Sequence, residues 1–129
     1  MQQPLVPTSV GELLDKISIL KIKQEKITDA QKLENINREL TELESIWTGI
    51  QDPATDLAEL CEQLKAVNTA LWDIEDKIRE KESANSFDQE FIELARSVYK
   101  QNDLRAALKK EINLRSGSAL VEEKSYQQY

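Results

Sequence analysis

An all-α fold is what this chain predicts: four long antiparallel helices, as a bundle or two stacked helical hairpins, with a short docked C-terminal tail. Three observations support that reading. Between Asp52 and Glu82 the apolar residues Leu57, Leu60, Leu64, Val67, Leu71, Ile74 and Ile78 alternate at spacings of three and four, a heptad seam. Nowhere does a segment alternate with strand period. The composition, 32% charged and 40% apolar with three Gly and three Pro in 129 residues, is that of long helices. A chain of this length is one domain by size and buries roughly two-thirds of its unfolded surface.

Helix 1 is expected over about 9–28. Ser9 and Glu12 have capping-box spacing, the hydroxyl serving the amide three residues on and Glu12 reaching back to the Ser9 amide. Val10, Leu13, Leu14, Ile17, Leu20 and Ile27 line one face, and Ile19 and Ile22 form a second apolar strip that a two-helix contact would leave wet. That strip and the projecting helix ends are where a homodimer contact is expected. Thr28 and Gln31 repeat the capping-box spacing before helix 2 (29–50), whose seam is Leu33, Ile36, Leu40, Leu43 and Trp47. The stretch Thr48 to Asp52 stops it, after which Asp52 can cap helix 3 (52–82) with Pro53 in its first position. Ser86 or Asp88 can cap helix 4 (87–115), whose buried face carries Phe87, Phe91, Leu94, Ala95, Val98, Leu108 and Ile112. The tail, 116–129, opens with Ser116, Gly117 and Ser118, and docks through Leu120, Val121 and its tyrosines, with room for a short helix.

The charge distribution narrows the function classes. The net charge is −7. Helices 1 and 4 each carry one excess positive charge, whereas helix 2 carries three excess acids and helix 3 five, so the outer helices can neutralise the middle pair. The basic residues Lys100, Arg105, Lys109, Lys110 and Arg115 are diluted by Asp103 and Glu111, which argues against nucleic acid as a partner. No apolar run approaches the length of a membrane span and Met1 to Thr8 lacks signal-peptide features, so a cytoplasmic protein without membrane insertion is expected. Cys61, alone and beside the seam, reads as an apolar filler.

With no His in the chain, Ser-His-Asp, Cys-His and HExxH arrangements are excluded, and no Gly-rich phosphate loop exists. Carboxylate pairs such as Glu122 with Glu123 or Asp73 with Asp76 read as solvated faces rather than metal ligands, and no cofactor is expected. Polar residues interrupt the seams instead. Asn102 and Arg105 break the apolar face of helix 4, and Asn68, Trp72, Glu75 and Arg79 flank that of helix 3. If these helices pack antiparallel, Asn68, Trp72 and Glu75 come near Arg96, Tyr99, Asn102 and Arg105. Three readings fit: a satisfied network that sets helix register, with Arg105 neutralising Glu75; a small anion pocket in which Arg supplies a bidentate fork and Trp72 and Tyr99 flat walls; or a different helix register that leaves these residues in solvent.

The stretches PTSVGELLDKISILKIKQEKI, VNTALWDIEDKIREKE, FDQEFIELARSVYKQNDLRAALKKEIN and GSALVEEKSYQQY resemble an uncharacterised family of small all-helical bacterial and bacteriophage proteins. The resemblance spans most of the chain outside 39–66. It implies importance for Glu12, Asp15, Lys16, Trp72, Glu75, Arg79, Arg96, Tyr99, Asn102, Arg105, Asn113 and the run Glu122 to Tyr126, and an ordered tail that lies across the helices with Leu120 and Tyr126 while Glu122 and Glu123 meet Lys16 or the Arg residues of helix 4. Some members are encoded beside lipopolysaccharide and polysaccharide glycosyltransferases, which implies a role near such enzymes.

The leading expectation is a non-enzymatic helical adaptor or assembly protein, homodimeric, with a glycosyltransferase as a possible partner. A small-anion or nucleotide-sugar binding protein is one alternative. Another is a helical enzyme of the chorismate mutase kind, in which Arg79, Arg96 and Arg105 clamp carboxylates beside Lys16 or Lys23.

Overall fold

A computed structural model describes residues 1–129 as four helices and an extended tail. The helices are α1 (Val10–Lys26), α2 (Ala30–Ile50), α3 (Ala58–Ser83) and α4 (Gln89–Ser116). Of the two expected arrangements, paired hairpins describe it better. The α1–α2 hairpin packs on the α3–α4 hairpin through α1, which alone touches all three other helices.

The caps explain where each helix starts, and they revise the expected boundaries. Ser9 Oγ accepts from the Glu12 amide at 3.1 Å, but the Glu12 carboxylate does not return to Ser9; Lys109 of α4 holds it at 2.6 Å. Asp29, not Thr28, caps α2, accepting from the Lys32 amide at 2.9 Å. Helix α3 begins at Ala58 rather than near Asp52. The Asp52 carboxylate takes the Ala54 amide and its carbonyl takes the Thr55 amide, closing a turn around Pro53, so no helix propagates from it. The chain then carries Leu57 into the core before α3 starts. Asp88 caps α4 through the Phe91 amide. Gly117 ends α4 with φ +67, a left-handed turn that suits glycine, and its amide bonds the Asn113 carbonyl.

The core is one cluster of Leu13, Leu14, Ile17, Leu20, Ile36, Leu40, Leu57, Leu60, Leu64 and Ile112. Each such fully buried side chain contributes roughly 1.5–3 kcal/mol before conformational entropy is subtracted. Ile22, expected at a dimer contact, is only 2% exposed within one chain, so it has no surface left to offer a second copy.

Helix α1, 17 residues against 26 and 28, is too short to cover α3 and α4 along their length. It meets the first half of α3 and the last half of α4. Beyond its end the two helices continue as a hairpin that the tail touches only near its base, at Tyr99 and Asp103, and no residue between Asn68 and Ile112 is buried. Leu71, Ile74, Ile78, Phe91, Leu94 and Val98 are half-buried in this arm, while Phe87, Ile92 and Leu104 are exposed. No helix is long and apolar enough to cross a membrane.

The tail is extended, without the short helix that its sequence allowed. Its start is pinned where Ser118 Oγ accepts from the Val10 amide at 3.2 Å, and it then runs back along α4.

Candidate functional site

Helix α1 presents a strip of Gly11, Asp15, Ser18 and Ile22, spaced four, three and four, to the α3–α4 hairpin, and all four residues are buried. Glycine at position 11 is a packing requirement. A Cβ there would lie 2.6 Å from the Lys109 carbonyl and 2.9 Å from Asn113 Oδ1, and the same Asn113 oxygen accepts the Gly11 amide at 2.7 Å. Helices α1 and α4 therefore cross with backbones nearly touching, which draws the polar side chains that follow into contact.

Asp15, fully buried, is the hub. Its Oδ1 accepts from Arg105 Nε at 3.0 Å and from Asn68 Nδ2 at 2.9 Å, and its Oδ2 accepts from Arg105 Nη2, giving the bidentate fork that planar guanidinium favours. Asn68 also donates to Ser18 Oγ at 3.3 Å. Lys109 Nζ lies 3.8 Å from Asp15 and donates to Glu12 at 2.6 Å and to Glu122 of the tail at 3.3 Å. No buried side-chain nitrogen or oxygen lacks a partner. A carboxylate buried as fully as Asp15 persists only when satisfied, and its bonds tie α1, α3 and α4 into one register.

The electrostatics follow from the pairings. Hydrogen bonds to Asp15 raise the Arg105 pKa above its ordinary value against the opposing effect of burial. Burial draws the Lys109 ammonium down, but the bond to Glu12 and the charges of Asp15 and Glu12 outweigh it, leaving Lys109 above the usual lysine value. Burial raises the Cys61 thiol above its ordinary value against the opposing charge of Lys21.

Over this network lies a cleft of about 820 Å³ between α4 and the tail. Tyr99, Asn102, Arg105, Glu122, Glu123 and Tyr126, all singled out from the sequence, line it together with Asp103, Lys109, Lys110, Lys124 and Tyr129. The tail is held by Glu122 on Lys109, Glu123 on Lys110 at 3.3 Å, and Lys124 on Asp103 at 2.8 Å. The Tyr129 ring meets Tyr99 edge-on at 4.9 Å, and the nearby Asp103 carboxylate raises the Tyr129 phenol above its ordinary value. The Lys124 hydrogen bond, followed by that of Tyr129, holds the Asp103 carboxyl below the usual range.

Other expected members lie elsewhere. Trp72 is half-buried on α3; Glu75 and Arg79 pair with each other at 3.4 Å on the exposed arm, so the carboxylate that Arg105 neutralises is Asp15 and not Glu75. Arg96 is exposed and donates to the Tyr99 hydroxyl at 3.4 Å. Arg79, Arg96 and Arg105 thus hold three different partners. Lys16 is exposed, one residue and about 100° of helix rotation from Asp15, and the tail acids meet Lys109 and Lys110 instead. No group of three His, Cys, Asp or Glu side chains is placed to hold a metal ion.

The model of a family of unknown function, DUF6165, matches residues 5–129, from the N-terminal segment through the tail. The chain belongs to this family. The match takes in the residues of both the Asp15 network and the tail cleft. No curated protein and no solved structure matches it.

Proposed function

We propose that this chain is a non-enzymatic helical adaptor whose docking element is the α3–α4 arm. The observation that carries the reading is the open seam: over thirty residues of heptad-patterned helix leave every apolar side chain half-buried or exposed, because α1 ends before it can cover them. Two helices alone cannot bury such a seam; a third can. The buried pairing of Arg105 with Asp15 fits the same view, since that guanidinium fork is already filled from within the chain.

The arm's charge selects the third helix. From Thr69 to Leu104 there are nine acidic and five basic residues. Two arms of the same sign repel, which disfavours a homodimer formed arm to arm, whereas an amphipathic partner helix with basic flanks complements both the seam and the charge. The resemblance to proteins encoded beside polysaccharide glycosyltransferases makes such an enzyme the candidate bearer of that helix, and surface-polysaccharide synthesis the candidate process.

The test uses Trp72, on the arm, as reporter in a Trp47→Phe background. A model helix with Leu at the seam positions and Lys flanks should bind saturably and shift Trp72 emission to the blue, and Ile92→Glu should abolish the shift. Equal binding of a Leu-seam helix with Glu flanks, or no binding of either, would overturn the proposal. So would concentration-dependent dimerisation lost in Ile92→Glu, which would assign the seam to a second copy.

A further inference from the structure

We propose that the cleft between α4 and the tail is a binding site for a small molecule bearing two adjacent negative charges, a diphosphate or a dicarboxylate, and that Glu122 and Glu123 occupy it as built-in stand-ins. This goes beyond the adaptor reading and does not rest on it.

The cleft is lined by the cations Lys109 and Lys110, the first nearly buried and the second half exposed, together with Arg105 and the small Ala106 one turn away. Lysine ammonium groups serve as point-charge binders of phosphate and carboxylate. Lys109 is held from beneath by Glu12 at 2.6 Å and is only 12% exposed, so its ammonium is positioned before any ligand arrives. The volume, about 820 Å³, falls within the range of small-molecule sites.

The present occupants are poorly seated. Glu122 and Glu123 reach Lys109 and Lys110 at 3.3 Å each while remaining 66% and 75% exposed, in contrast to the 2.6 Å bond on the opposite side of Lys109. Exposed pairs of this kind contribute little, so a free dianion with better geometry can displace both carboxylates. The tail need not leave for this to happen. Its start is fixed by Ser118 on the Val10 amide, and its end by Lys124 on Asp103 and Tyr129 on Tyr99. Only the span between these anchors has to lift. Tyr99 and Tyr126 then remain as flat walls for the organic part of the ligand, and Asp103 stays neutralised by Lys124.

Calorimetric titration of the full chain with pyrophosphate, and in parallel with succinate, at low salt tests the site. Glu122→Gln/Glu123→Gln should bind about tenfold more tightly than the parent, the scale that removing two competing surface pairs supplies. Adding Lys110→Gln should erase that gain. A charge-matched control, Glu80→Gln/Glu82→Gln on exposed positions of α3, should remain at the parent's affinity. Pyrophosphate following this order assigns phosphate chemistry, and succinate following it assigns carboxylate chemistry; either supports the site. If the tail variant binds both probes no more tightly than the control variant does, the attraction is only net charge and the proposal is overturned.

Discussion

Replacing Arg105 with Leu should destabilise the protein by about 3 kcal/mol. The change removes both hydrogen bonds of the guanidinium fork and strands Asp15, which has no solvent exposure, inside the α1–α3–α4 junction. Breaking a buried pair from one side costs about 3–5 kcal/mol. Here the lower end applies, because Asn68 still donates to Asp15 at 2.9 Å, Lys109 remains 3.8 Å away, and the Arg105 side chain was itself 29% exposed. Urea unfolding reads the loss as a lower midpoint at unchanged slope. The companion variant Asp15→Leu/Arg105→Leu removes both charges, and should recover much of the loss, since apolar replacement of a whole buried pair is often near neutral. An Arg105→Leu protein within about 0.5 kcal/mol of the parent, the usual scale for surface changes, would refute the view that buried Asp15 is clamped by Arg105.

Gly11→Ala should also destabilise, by about 1–2 kcal/mol, even though alanine is favoured in helices by about 1 kcal/mol, because the added Cβ meets the Lys109 backbone and pushes α1 from α4; chemical denaturation showing a gain in stability would contradict the close crossing. The tail contact depends on pH through Asp103, whose folded value is depressed by Lys124 and Tyr129. Its contribution is complete above the ordinary carboxylate value, about 3.9, and is lost as pH falls through the lowered folded value, so the Tyr99 and Tyr129 ring resonances should move toward free tyrosine only in that acid range; release at neutral pH would contradict the pairing. At the alkaline end the sign reverses: Lys109, raised in the folded state, contributes fully below the ordinary lysine value, and that contribution disappears as pH climbs through the raised one. Alkaline unfolding of Lys109→Met should accordingly show a weaker pH dependence than the parent's.

The helices were legible because their seams are long and strictly periodic, as Leu33, Ile36, Leu40, Leu43 and Trp47 illustrate. Helix α3 misled at its start because Asp52 and Pro53 are equally good turn residues; Asp52 closes a turn on the Ala54 and Thr55 amides, and the Ala58 amide is met by Asp56 instead. In the candidate site, Arg105 and Asn102 stood out as polar breaks in an apolar face and Asn68 as a polar flank, whereas Asp15 was marked only by the family resemblance, since by pattern a carboxylate beside a heptad seam ordinarily faces water. The available signal was its company: Gly11 and Ser18, small residues on the same strip, mark a close helix crossing able to bury a charge. Glu75 drew attention in its place because local pattern cannot tell where α1 ends, and Glu75 lies on the part of α3 where α1 no longer provides cover.

Native-state amide hydrogen exchange on the full chain tests most directly whether a clamped junction carries an open docking arm. Protection should be greatest in α1, around residues 60–68 and around 105–113, and should fall toward local-opening values through the α3–α4 arm between them, where no side chain is buried. Protection as strong in the arm as at the junction would contradict the reading, because the seam would then be closed without a partner.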